Sequence, residues 1–147
     1  MTTGDLISEL DLSARVEGKA AHIGGSLGIA PGASVEIEIR FLDPTNDNHH
    51  GENPSVRRVD LIGGSVPDRS ADTHATTRVL ARFTSKDWKR DGAYRVMTYR
   101  MNGVASDTYL RVRGTNGEEL EPEPDPPGED PWSDLWFYSN PVFLNIQ

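Results

Sequence analysis

Between Ser34 and Phe41 every second residue is apolar: Val35, Ile37, Ile39 and Phe41 form one row, and Glu36, Glu38 and Arg40 the other. Period-two alternation of this kind buries one row only in an extended strand. A helix would scatter the same residues around its circumference. The pattern recurs along the chain. Leu10, Leu12, Ala14 and Val16 alternate with Asp11, Ser13, Arg15 and Glu17. Val59 and Leu61 are flanked by Arg58 and Asp60, and Val79, Ala81 and Phe83 alternate with Arg78 and Arg82. Leu110 and Val112 alternate with Tyr109, Arg111 and Arg113, and Val142, Leu144 and Ile146 close the series. Ala93 to Met101 also reads as a strand, with either face able to be the buried one.

Between these runs lie pairs suited to chain reversal: Pro31-Gly32, Gly63-Gly64, Asp91-Gly92, Asn102-Gly103 and Asn116-Gly117. Apolar periodicity of 3.6 residues is missing, and 14 Gly with 10 Pro favour turns over long helices. The expected fold is therefore all-β: an Ig-like or fibronectin-like antiparallel β-sandwich of about 7–9 strands. It should form a single domain over residues 1–147, with residues 1–8 outside the ordered sandwich and residues 118–134 a long loop. Thr84 to Arg90 is the one place where a short helical turn is expected, with Thr84 as its cap and Asp87 three residues on.

Composition narrows the function. The 147 residues carry a formal net charge of −8, which opposes a general binder of nucleic-acid phosphates. With no cysteine, disulfides, thiolate nucleophiles and cysteine-based zinc sites are excluded. No apolar run approaches the roughly 20 residues of a membrane-spanning helix. Met1 to Leu10 shows no basic stretch followed by an apolar block, so no signal peptide is read there. The compartment stays open, and so does the oligomeric state.

Two segments break the strand rhythm. Asp43 to Pro54 is rich in Asp, Asn and His, and its oxygens at Asp43, Asp47, Asn48 and Glu52 make a candidate calcium site. Gly51 is misplaced for the twelve-residue calcium loop, and Asp and Asn also favour turns by bonding their own backbone. His49, His50 and His74 lack any metal-ligand spacing. The second segment, Glu118 to Asp134, is acidic and stiffened by Pro122, Pro124, Pro126 and Pro127. Its carboxylates, Asp130 and Asp134 among them, sit at no fixed separation that acid–base catalysis could use. Ser65, Ser70 and Ser139 lack a nucleophile elbow. Gly24-Gly25-Ser26-Leu27-Gly28 lacks the lysine of a phosphate loop and reads as a turn.

Arg95, Arg100, Arg111 and Arg113 fall on neighbouring expected strands. Such a stripe can take carboxylates or phosphates, or pair across strands with Glu36 and Glu38. Pairing is the favoured reading in an acidic chain. Trp132, Trp136, Phe137 and Tyr138 are too close in sequence to share one core, so at least one is expected at the surface or under the acidic loop.

Three stretches form a further pattern: Asn53-Pro54-Ser55-Val56-Arg57-Arg58-Val59-Asp60-Leu61-Ile62-Gly63-Gly64, then Tyr109-Leu110-Arg111-Val112-Arg113-Gly114-Thr115-Asn116, then Asp134-Leu135-Trp136-Phe137-Tyr138-Ser139-Asn140-Pro141-Val142-Phe143-Leu144. Together they resemble the β-rich C-terminal region of bacterial phosphoesterases of the polymerase-and-histidinol-phosphatase (PHP) type. The likeness spans the chain from about Leu10 to its end. In that family a metal-dependent hydrolase domain precedes the sandwich and holds the catalytic His and Asp ligands. His49-His50 does not reproduce their His-x-His pattern, so no catalytic residue carries over. The resemblance implies a non-catalytic accessory domain whose partner is the preceding catalytic domain of the same polypeptide, in a parent that could be secreted. Arg111, Arg113, Trp136 and Tyr138 are the candidate docking residues. The alternative is a stand-alone carbohydrate- or calcium-binding sandwich, and the weakest reading is an enzyme using the acidic loop.

Overall fold

The computed structural model describes residues 6–67, 76–124, 126–130 and 132–147, and among these it contains eleven strands and no helix. In chain order they are β1 (Glu9–Val16), β2 (Lys19–His22), β3 (Ser26–Ile29), β4 (Ala33–Leu42), β5 (Arg58–Ser65) and β6 (Arg78–Thr84). There follow β7 (Lys89–Asp91), β8 (Tyr94–Val104), β9 (Thr108–Thr115), β10 (Trp136–Tyr138) and β11 (Val142–Ile146). They build an all-β sandwich. One sheet has the order β2-β1-β4-β8-β7; the other runs β3-β11-β9-β5-β6, with β10 also paired to β9.

The alternating rows become the core. Leu12, Ala14, Val35, Ile37, Ile39, Phe41 and Met97 of the first sheet face Val59, Leu61, Leu110, Val112, Phe137, Val142 and Leu144 of the second, in one hydrophobic cluster. Burying an Ile or Phe of this kind contributes about 1.5–3 kcal/mol relative to leaving it exposed. Met97 settles the facing of β8, with Tyr99 and Met101 packed on the same side.

Several expectations are corrected. Residues 1–8 do not all lie outside the sandwich: Leu6 and Ile7 are fully buried, and the Ser8 amide donates to the Leu42 carbonyl. Eleven strands form where about 7–9 were expected, because β2, β3, β7 and β10 have only three or four residues each. That is too short to show a period. Pairing is antiparallel except at β3 and β11, which run parallel. Gly63-Gly64 is no turn but lies inside β5, where a Cβ on Gly63 would press on Leu80 and one on Gly64 on the Tyr109 ring. Asn102-Gly103 sits in β8 and makes a bulge, marked by the register shift opposite Ala33 and Val35. Gly28 of the expected glycine turn belongs to β3.

Thr84 to Arg90 holds a hydrogen-bonded turn instead of a helix. The Asp87 amide donates to the Thr84 carbonyl, and Asp87 Oδ2 accepts from the Thr84 amide at 2.7 Å. The chain then enters β7, so this corner carries it from one sheet to the other. Trp88 anchors the corner, edge-on to Phe41 at 5.3 Å.

Asn140-Pro141 interrupts what would otherwise be one long strand. β10 pairs with the far end of β9 and β11 with its near end. Ser139 bridges the break: its amide donates to the Val112 carbonyl, and its hydroxyl accepts from the Val112 amide at 2.8 Å. Proline thus falls where no ladder bond is needed. β11 is not an edge strand, since β3 lies on its other side.

A buried ion cluster beneath the acidic loop

The polar rows of the second sheet meet on its outer face. Arg58 and Asp60 project from β5, Arg82 from β6 and Arg113 from β9, and the register sets Asp60 opposite both Arg82 and Arg113. Asp60 belongs to the polar row that flanks Val59 and Leu61, yet its side chain is only 1% exposed. Arg113 Nε donates to its Oδ2 at 2.9 Å. The Nε atoms of Arg58 and Arg82 lie 3.3 and 3.4 Å from Oδ1, which makes no hydrogen bond. A buried carboxylate is tolerated only when paired, and three guanidinia meet that need.

The roof is the acidic segment. Arg58 Nη1 donates to the Glu118 carbonyl at 3.5 Å and Nη2 to that of Glu119. Arg113 Nη2 donates to the Leu120 carbonyl at 3.0 Å. Glu121 grips Arg113 with both oxygens, at 2.5 and 2.9 Å, and lies 3.6 Å from Arg82. The hydrogen bond from Arg113 is the main reason the Glu121 carboxyl is held below its ordinary pKa, with Arg82 and Arg58 adding their charge. The same bond to Glu121 pushes the Arg113 guanidinium up. Trp136 on β10 completes the wall, its ring centroid 5.7 Å from the guanidinium carbons of both Arg58 and Arg113.

Of the candidate docking residues, Arg113 and Trp136 are therefore built into this cluster. Arg111, two residues along β9, is exposed beside Ile62, and Tyr138 is half-buried opposite Arg113. The four consecutive-strand arginines do not form one stripe. Arg95 and Arg100 lie on opposite sides of β8; Arg95 is 3.3 Å from Asp43 and Arg100 is 3.8 Å from Glu36. Glu38 is 3.7 Å from Arg40. The aromatic run divides as its spacing demands: Phe137 enters the core, Trp136 and Tyr138 face outward, and Trp132 stacks on His50 at 5.5 Å. Gly114 lies opposite Phe137, and a Cβ there would collide with the ring.

The candidate calcium oxygens have other work. Asp43 faces Arg95, and Asn48 Oδ1 accepts from the amides of His50 and Glu52 at 2.9 and 3.0 Å. Glu52 stands 3.7 Å from His50. No group of three His, Cys, Asp or Glu that could hold a metal occurs among the described residues. Asp130 caps its own turn, accepting from the Trp132 amide at 3.0 Å. His74 and Ser70 lie outside the described residues.

Sequence reasoning missed Arg58, Asp60, Arg82 and Glu121 as a unit. The available signal was charge complementarity: basic residues on the polar rows of several strands, in a chain with one long acidic loop. Comparison with protein-family models, with curated proteins and with solved structures gave no match.

Proposed function

We propose that this chain is a non-catalytic, Ig-like accessory domain that packs against a metal-dependent phosphoesterase domain of the PHP type in the same polypeptide. The observation that carries the reading is the row of half-buried aromatics around the exposed Arg111 on the second sheet's outer face. There Phe143 lies beside Tyr109, Arg111 beside Ile62, and Tyr138 beside Arg113. Aromatic side chains around an arginine are the composition that interfaces favour at their centres. The three stretches that resemble the PHP-type region supply β5, β9, β10 and β11, which are neighbours in this one sheet. Segments far apart in sequence thus meet on the surface offered to the partner.

The test is a pull-down of the separately expressed hydrolase segment with this domain. Capture by the wild type and its loss in the double variant Arg111→Glu, Tyr138→Ala, with an unchanged melting temperature, is the expected result. Failure of the wild-type domain to bind, with phosphoesterase activity indifferent to its deletion, would refute the reading. The same aromatic row favours one second reading, a carbohydrate-binding module. Calorimetric titration with common glycans separates the two.

A further inference from the structure

Residues Glu118 to Glu121 cross the sheet as a bound peptide would. Their hold is made of the Glu118, Glu119 and Leu120 carbonyls and two carboxylates, that of Glu121 on Arg113 and that of Glu118, whose Oε1 accepts from Arg57 at 3.0 Å. The Leu120 side chain is 59% exposed, so apolar burial does not anchor the segment. The two sides of the contact differ sharply. On the sheet side Asp60, Arg113 and Arg58 are 1%, 8% and 11% exposed; on the loop side Glu121 is 62% and Glu118 86% exposed. Charge shows the same asymmetry. Arg58, Arg82 and Arg113 face a single buried carboxylate, Asp60, which leaves two positive charges for an occupant to meet.

We propose that the groove of Arg58, Arg82, Arg113 and Trp136 is a binding site for an extended acidic peptide, and that residues 118–121 are its resident, displaceable occupant. Carbonyls of any extended chain can meet the guanidinia, and a glutamate at the position of Glu121 supplies the two-oxygen grip on Arg113. Specificity then lies in acidity and extended shape. The inference does not depend on what meets the neighbouring aromatic row.

The probe is a fluorescein-labelled peptide of residues 118–123, titrated by anisotropy onto the full chain. A site that its own loop occupies shows an affinity reduced by the fraction of time it is open. Loosening the loop with Glu121→Gln should therefore tighten peptide binding by about ten-fold over the wild type. Added salt should weaken it, and a peptide with every Glu replaced by Gln should not bind. Equal affinity for both proteins, or equal binding of the uncharged peptide, overturns the proposal. Amide NMR on the wild type guards against a variant that fails to fold. Saturating peptide should move the resonances of residues 118–121 to random-coil positions, and unchanged resonances there overturn it as well.

Discussion

The two outer faces of the sandwich begin from the same sequence rule and end differently. On the first sheet the outward charges of β1, β4 and β8 are open or half-open to solvent, although Ser13 among them is buried. Arg100 and Glu36 are 63% and 73% exposed, and His22 meets Asp11 at 2.8 Å in the open. Tyr94 there donates to Glu9, the main reason its phenol is pushed up from its ordinary pKa. On the second sheet part of the equivalent rows is covered, though Arg111 stays exposed. Asp60, Arg58, Arg113 and Ile62 are buried although they point away from the core. The difference is the acidic loop on one face and water on the other. Polar alternation marks which way a side chain points, not whether it meets solvent.

That contrast can be broken most severely at Asp60. Removing one partner of a buried ion network leaves the others uncompensated, so Asp60→Ala should lower stability by about 3–5 kcal/mol. Urea unfolding measures it, and a loss no larger than for a surface carboxylate would mean the cluster is open to water. Ile62 probes burial on the same face without charge. Buried on the outer face, it should cost about 2 kcal/mol on mutation to Ala, where an exposed aliphatic would cost almost nothing.

A smaller effect comes from pH. The Glu121 carboxyl is lowered from its ordinary 4.5, so its contribution is full above that value and is lost as pH falls through the lower folded-state value. The groups facing it are Arg113, Arg82 and Arg58. The difference in urea midpoint between wild type and Glu121→Gln should shrink on acidification below pH 4.5. A difference that stays constant across that window would remove Glu121 from the roof. Smallest of all should be Glu36→Ala on the first sheet, within about 0.5 kcal/mol of wild type, because its pairing with Arg100 at 3.8 Å is wet and loose. A larger loss there would erase the contrast between the faces.

Much of the architecture was legible because long strands advertise themselves. Leu12, Val35, Ile37, Ile39, Val59, Leu61, Leu110, Val112, Val142 and Leu144 all occupy the core their alternation assigns. The short strands were not legible. β7 has three residues and takes its strand form from β8 alongside. Glu17-Gly18 shows a second kind of blindness: both residues adopt positive φ, at 50° and 80°, to close the β1–β2 hairpin. Glutamate seldom signals that turn. The candidate site was legible only in parts. Arg113 and Trp136 were singled out, but Asp60 lies 53 residues before Arg113, and Glu121, only eight residues on, sits in a loop with no period to show where it folds back.

The amino-acid sequence by itself determined the class of fold, the inward rows and the absence of thiol chemistry. Those follow from local geometry, since successive side chains on a strand must point to opposite sides. The tertiary structure alone decided which outward charges would be buried. That outcome depends on Glu118 to Glu121 returning over β5 and β9, an encounter between segments that no local pattern records.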